Sequence, residues 1–313
     1  MTYRFLTEAS GSLTSAYIIK NIQNANHICV ASDINQNCAA EILADEFIMM
    51  PECNAPSFWE KINNLLIKYN IDIVIPSFDE TLLGWSQKKD IFNHNNISVI
   101  ISEPGAIEVC QDKWLTFNFF SDNGVPTAQS SLEQKYTLVK PRLGRGGKGV
   151  DISGKKINMK GMISQECLKG DEFTVDVFCD QNGEPIYIIP RRRKVVIDGK
   201  STISITEYNE QIEGLVKYIC TKLKFIGPIN FQCFLTLSNE IKFIEINPRI
   251  AGGMALGMAA SENWINLIIN NIVKGNKCNP KNIKYGLEMR RYYAETIYIL
   301  KLTGAKLVML VLI

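Results

Sequence analysis

Apolar residues cluster along the first hundred positions, and their spacing switches between the two periods of regular structure. Alternating or unbroken apolar runs at 3–6, 27–33, 71–76 and 97–102 predict strands. Tyr17, Ile18, Ile19 and Ile22, and the apolar positions of 57–69, fall at helical spacing. This βαβα alternation predicts a small parallel sheet with helices on both faces. Farther along, 105–123 predicts one helix, stopped by Gly124 and Pro126. Strands are expected at 173–178 and 186–189 around an Asn182-Gly183 turn, and 210–223 has the spacing of a packing helix. The end, 297–313, is unusually apolar, but Lys301, Gly304 and Lys306 interrupt it. Its unbroken run from Leu307 falls far short of the roughly 20 residues a membrane-spanning helix needs. A docking strand or helix is expected there, or a contact between two copies in a homodimer.

Two segments break these patterns with chemistry. Leu138-Val139-Lys140-Pro141-Arg142-Leu143-Gly144-Arg145-Gly146-Gly147-Lys148-Gly149-Val150 ends an apolar strand on a lysine, then gathers glycines among cations. Glycines let backbone N–H groups approach an anion, and nearby cations offset the charge of a polyphosphate. The spacing is neither a P-loop nor a dinucleotide-binding turn. Since Val150-Asp151-Ile152 reads as another short strand, the expectation is a glycine-tipped hairpin, a flap closing over phosphates. The second segment, 241–250, reads as an alternating strand that leaves Phe243 on an apolar face and Glu245, Asn247 and Arg249 on the other. Glu and Asn are hard oxygen ligands of the kind Mg²⁺ takes, and Arg249 suits phosphate. Residues 230–235 predict its hairpin partner, turning at 238–240, with Gln232 facing the same site.

Other charged positions leave two readings open. Asp79 and Glu80 sit where a strand end meets a cleft, as substrate contacts or as the start of a helix. Arg191-Arg192-Arg193-Lys194 reads as a solvated surface or as a strand that aims Arg191 and Arg193 into a cleft, with Arg192 opposite. A formal net charge of +2 gives no basic footprint for nucleic acid. The nine cysteines include no C-x-x-C pair, so reduced, buried thiols of a cytoplasmic protein are expected. Residues 1–6 lack the apolar stretch of a secretory leader.

Taken together, Val139-Lys140-Pro141 with its glycine flap, Gln165-Glu166-Cys167-Leu168 and Glu245-Ile246-Asn247-Pro248-Arg249 resemble the ATP-grasp enzymes. The similarity is to the synthetase domains of the carbamoyl-phosphate synthase large chain and runs to about Arg291. It implies an α/β chain: a small parallel, Rossmann-like pre-ATP-grasp domain over 1–104, then a two-subdomain ATP-grasp domain over 105–291. The flap subdomain falls at about 127–168, and an apolar segment over 292–313 follows.

The resemblance further implies ATP and Mg²⁺, with Mn²⁺ as the alternative ion. Lys113 and Lys140 are placed on phosphates, under Gly146 and Gly147; family members often have arginine at the position of Lys113. Gln165, Glu166, Cys167 and Leu168 form the hinge that meets adenine, through the Glu166 side chain or the adjacent backbone. Glu172 accepts from the ribose, Gln232, Glu245 and Asn247 hold metal, and Arg249 lies beside the γ-phosphate. The implied activity joins a small-molecule carboxylate to an amine through an acylphosphate, with Lys140 and Arg249 as its catalytic cations. Full carbamoyl-phosphate synthesis uses two synthetase halves, and this chain has the length of one. The alternatives are a nucleotide-binding regulatory subunit without turnover, or a carbamoyl-phosphate-synthase-like subunit that needs a partner.

Overall fold

The computed structural model describes residues 1–12, 14–197, 199–292 and 294–297 in full, and the backbone of 298–303 and 306–312. The first unit is the expected parallel sheet. Strands β1 (Arg4–Thr7), β2 (Ile28–Asp33), β3 (Glu46–Met49), β4 (Ile73–Ile75) and β5 (Ser98–Val99) lie in the order β3-β2-β1-β4-β5. Every neighbouring pair is parallel. Helices α1 (Ala16–Asn24), α2 (Ala40–Leu43), α3 (Phe58–Lys68), α4 (Leu82–Gln87) and α5 (Lys89–His94) make the crossovers. Elements as short as α2 and β3, four residues each, show neither period in the sequence. The strand order reverses between β1 and β4, so the loops after these two strands open a crevice.

Different partners bury the two faces of this sheet. Leu6, Val30 and Val74 pack with Phe58, Ile62 and Trp85 of the local helices. On the other face, Phe5, Ala31 and Ile75 share a core with Phe178, Tyr187 and Trp264 from far downstream. The N-terminal unit therefore completes one of its two cores only with the rest of the chain.

The helix expected over 105–123 is two helices, α6 (Pro104–Gln111) and α7 (Lys113–Asp122). Asp112 between them has extended backbone, and its side chain accepts from the Trp114 N–H, which makes it an N-cap that restarts the helix. Lys113 thus opens α7. The flap subdomain follows as β6 (Ser130–Ser131), β7 (Leu138–Pro141) and β8 (Met162–Gln165), in the order β6-β8-β7. After the glycine run the chain meets β7 only at one bridge, where Val139 and Asp151 exchange both backbone bonds at 2.8 Å. The strand expected at 150–152 is therefore a single residue pair, and β8 supplies the ladder. Gly146 and Gly147 have φ of +65° and +70°, a conformation that glycine adopts without strain.

The large sheet is antiparallel. Strands β9 (Gly170–Cys179), β10 (Pro185–Ile197) and β11 (Lys200–Thr206) precede α8 (Glu210–Leu223); β12 (Gly227–Thr236), β13 (Ile241–Asn247) and β14 (Glu288–Arg290) follow it. The order is β13-β12-β9-β10-β11-β14. Between β13 and β14 lie α9 (Ala255–Ala260), α10 (Trp264–Leu267) and a π-helical turn, Ile268–Val273. The arginine run belongs to β10, which is longer than its apolar portion suggests. Strands β15 (Ile297–Thr303) and β16 (Lys306–Leu312) form a separate antiparallel pair. How their side chains pack, and with it the expected dimer contact, lies outside the described residues.

Alternation along β9 explains where the chemistry sits. Phe173, Val175, Val177 and Cys179 enter one core beneath the sheet. Glu172, Thr174 and Asp176 take the other face, which ends on Phe178 in the core shared with the N-terminal unit. Strand β13 cannot do this by alternation alone, because Phe243 and Glu245 have the same parity. A β-bulge resolves it: Cys233 opposes Phe243 and Gln232 opposes Glu245, which leaves Ile244 unpaired. The extra residue turns Phe243 into the core against Phe120 and Phe231 while Glu245 faces the cleft.

At the centre of the sheet Arg191 and Asp176 are 1% and 0% exposed. Arg191 Nε and Nη2 donate to Asp176 at 2.5 and 2.8 Å, and Asn230 Nδ2 donates to the same carboxylate at 2.9 Å. Asp176→Ala strands a buried guanidinium and should cost about 3–5 kcal/mol of stability. Thermal unfolding checks this; an unchanged midpoint would show that the pair does not hold the sheet.

Candidate functional site

A cleft of about 1470 Å³ lies between the loops after β1 and β4, the glycine loop and the polar face of the large sheet. Strand register builds its floor. Glu245, Gln232, Thr174 and Arg191 stand opposite one another across four strands, and Asn247, Asn230 and Asp176 form the next row. Thr174 Oγ1 is buried in this floor with no hydrogen-bond partner among the described residues. An unmet hydroxyl beside one carboxylate and two amide side chains is an oxygen-rich surface with room for a hydrated cation. Glu245, Gln232 and Asn247 thus fit a divalent ion whose shell is completed by a ligand and water. The described residues contain no group of three His, Cys, Asp or Glu side chains that would close around a metal by itself.

The cations stand over this floor. Lys140, at the end of β7, is buried, and its Nζ donates to Gln165 Oε1 at 2.8 Å. Burial pulls its pKa down to about 8, against an upward pull from Glu245, and Lys113 adds to the fall. Lys113 Nζ donates to the Gly144 carbonyl at 2.7 Å, which ties α7 to the glycine loop. Arg249 Nε and Nη2 donate to Asp79 at 2.9 and 2.8 Å, and Nη2 also reaches Asn247 Oδ1 at 3.1 Å. Gly146, Gly147, Gln165, Cys167 and Leu168 also line the cleft.

Several residues take other positions than their sequence suggested. The Glu166 carboxylate accepts from Lys242 Nζ of β13 at 2.6 Å, and the Glu166 N–H donates to the Gln129 carbonyl, so this side chain is engaged rather than free. Asp79 and Glu80 are ion-paired rather than free, and neither caps the next helix. Asp79 holds Arg249, and both acids pair with Arg145 of the glycine loop at 3.5 and 3.3 Å. The next helix has Thr81, not an acid, at its N-cap. Arg191 and Arg193 do share the cleft face, and Arg192 turns away to Glu207 at 2.8 Å. Arg191, however, is engaged by Asp176, and Arg193 pairs with Glu172 and donates to the Gly199 carbonyl at 2.8 Å.

Some contributors had no visible signal in the sequence. Glu8 is buried, and burial raises its pKa against the lowering effect of its hydrogen bonds. It accepts from Ser77 N, Phe78 N, Thr81 Oγ1 and Trp85 Nε1, fixing the loop that delivers Asp79. Asp176, Arg145 and Arg291 likewise matter through partners remote in sequence.

Lys140 allows a test by pH. A lysine depressed to about 8 on folding penalises the fold while it is charged. That penalty is full below about pH 8 and is relieved up to about 10.5, where only the unfolded chain keeps the proton. Lys140→Met removes it at every pH. The variant's stability relative to wild type should therefore be most favourable near neutral pH and decline toward about pH 10. Unfolding midpoints of both proteins across that range check the trend, and a difference independent of pH would refute it.

Two family models match the chain, one described as the PylC-like N-terminal domain over residues 10–100 and the other as ATP-grasp in the biosynthetic pathway with Ter operon over 158–294. A carbamoyl-phosphate synthase of Methanobrevibacter smithii is 23% identical over 183 residues, covering 51% of this chain and 48% of that protein. The chain thus spans about half the length of that relative. Among solved structures, the biotin carboxylase domain of Hydrogenobacter thermophilus 2-oxoglutarate carboxylase, a dimer with MgADP, ADP and bicarbonate, has a TM-score of 0.69 at 16% identity. That match covers 92% of this chain and 73% of the other. The N5-carboxyaminoimidazole ribonucleotide synthetase of Thermotoga maritima has a TM-score of 0.64 at 18% identity, covering 92% and 79%. These structural matches are likenesses of fold. With a PylC-like unit ahead of the flap and the large antiparallel sheet, the chain has the ATP-grasp fold, and its residues 158–294 match an ATP-grasp family model.

Proposed function

We propose that this chain is an ATP- and Mg²⁺-dependent ligase that joins a carboxylate to an amine, forming an amide or peptide bond through an acylphosphate. The observation that carries the reading is convergence. Lys140 under the glycine loop, Glu245 with Gln232 and Asn247, and Arg249 line one cleft, although about a hundred residues separate the first from the last. In this reading residues 1–104 form the acceptor-side domain and 105–291 the nucleotide-binding part.

Lys113 and Lys140 bind phosphate oxygens and pull them beneath Gly146 and Gly147, whose backbone N–H groups have no side chain in front of them. Glu245, Gln232 and Asn247 hold Mg²⁺, which when bound neutralises charge on the phosphates. Arg249, kept in place by Asp79, faces the phosphoryl group as it moves. An oxygen of the acceptor carboxylate attacks the γ-phosphorus, and the bond to ADP breaks. The amine nitrogen then attacks the acyl carbon, the carbon–oxygen bond to phosphate breaks, and the nitrogen loses a proton. No side chain serves as a covalent nucleophile. The glycine loop excludes water that would otherwise hydrolyse the acylphosphate.

Saturating Mg-ATP, at about a hundred times its dissociation constant, should add roughly 2.7 kcal/mol of stability. Phosphate release screened across carboxylate and amine pairs then separates an enzyme from a regulatory binder. Glu245→Ala should lower turnover by about 10² to 10³ while adenine recognition persists. No thermal shift with Mg-ATP would sink the nucleotide reading, and wild-type turnover in Glu245→Ala would overturn the metal set.

A further inference from the structure

Three buried or half-buried arginines gather on the acceptor side of the cleft, and two are already neutralised. Arg191 has Asp176 and Arg249 has Asp79, each through two hydrogen bonds. Arg291 has no carboxylate partner among the described residues. Its backbone N–H donates to the Thr202 carbonyl at 2.9 Å, which continues the β11–β14 register by one residue beyond Ile203 and Arg290. Position 291 therefore falls on the same face as Ser204, whose hydroxyl accepts from Arg191, and this is the cleft face.

The guanidinium hydrogen-bonds only to neutral groups among the described residues. Nε donates to the Ser201 carbonyl at 3.1 Å, and Nη2 donates to the Gly252 carbonyl. Nη1 has no hydrogen-bond partner among the described residues. Burial lowers the pKa of Arg291 and the like charge of Arg191 adds to the fall, while Tyr17 and Asp176 oppose it. A half-desolvated guanidinium held by two carbonyls is rigid in position and still lacks an anion. Its planar fork matches a carboxylate.

Its neighbours indicate which end of the cleft this is. Gly252 packs against Thr14, where a Cβ would come within 2.6 Å of the hydroxyl, and the Tyr17 hydroxyl donates to the Ala251 carbonyl at 2.8 Å. Arg291 therefore stands at the seam with the N-terminal domain, in the cleft that Ser12 and Thr14 also line. Lys113, Lys140 and the glycine loop, the cationic end suited to phosphates, are a separate group tied to one another.

We propose that Arg291 receives a second, non-reacting carboxylate of a substrate, so that the amine is an amino acid or the acceptor a dicarboxylate. This deepens the ligase reading and rests on it for the identity of the substrate, while the binding site itself stands on Arg291.

The test uses thermal unfolding of the full chain with a non-hydrolysable Mg-ATP analogue. The probes are the common L-amino acids with their carboxamides, and malonate, succinate and glutarate with their monoamides. At least one carboxylate should raise the wild-type midpoint, and its amide should need about 10- to 100-fold more to do the same. Arg291→Gln should erase that preference and Arg291→Lys should keep part of it. Amino acids as the responders assign the site to the amine, and dicarboxylates assign it to the acceptor. The proposal is overturned if no carboxylate shifts the wild type, if amides act as well as acids, or if Arg291→Gln keeps the preference. The wild-type comparison decides even if a variant fails to fold. A protein that ignores the nucleotide analogue but keeps the Arg291-dependent preference would sink the ligase reading and support the carboxylate site.

Discussion

The buried pair of Arg191 and Asp176 constrains more of this structure than any other contact. Both Asp176 oxygens are satisfied, one by Arg191 and Asn230 and the other by Arg191, which is the condition under which a desolvated ion pair is tolerable. The pair also sets how closely the chain after Arg249 can approach. A Cβ at Gly253 would stand 2.5 Å from Arg191 Nη2, and one at Gly257 would stand 2.7 Å from Asp176 Oδ2. Only glycine lets that turn and the start of α9 lie against the charges. The turn then presents the Ala251 carbonyl to Tyr17 of the N-terminal domain and the Gly252 carbonyl to Arg291. One pair thus ties the sheet to the turn, and the turn to Tyr17 of the N-terminal domain and to Arg291.

A second compensation joins the domains. Asp79 comes from the loop after β4, held by the four donors on Glu8, and meets Arg249 across 170 residues of sequence. The same loop takes Arg145 of the glycine run, 4.5 Å above the Phe78 ring and close to Asp79 and Glu80. Arg249 and Arg145 therefore reach the cleft already oriented by anions of the N-terminal domain. In the proposed function Arg249 would not need to reorganise when a phosphoryl group arrives, which is where fixed charges act most effectively. The shared core of Phe5, Ile75, Phe178 and Trp264 keeps this alignment from depending on the ion pairs alone.

Local pattern made the parallel sheet, the helix at 210–223 and the hairpin of β12 and β13 legible, because each is set by apolar periodicity and turn residues within a short window. The glycine run and the residues around Glu245 were legible as chemistry, since few other demands place those residue types together. Pairings across long separations were not. Nothing near Arg191 in sequence names Asp176, and nothing near Asp79 names Arg249. The bulge at Ile244 was hidden too, because strict alternation puts Phe243 and Glu245 on one face and only the register with Gln232 and Cys233 separates them. Asp112 reads as one polar residue in a helix until its side chain is seen capping Trp114. Glu166 carries the same lesson, because its partner Lys242 lies on a strand the sequence places far away.

The balance of charge in the cleft bears on how its ligands enter. A single carboxylate with two amides is a weak set for Mg²⁺, which usually combines one or two carboxylates with substrate phosphates. Lys113, Lys140 and Arg249 make the same space unfavourable for a bare cation. Lys140, with Gln165 as its hydrogen-bond acceptor, already has its pKa drawn down to about 8. Phosphates change all of these terms in one direction. In the proposed function they would supply oxygens for the metal, neutralise the cations, and restore the tendency of Lys140 to hold its proton. The metal and the nucleotide are therefore expected to bind as a unit, and binding near pH 8 should be accompanied by proton uptake at Lys140.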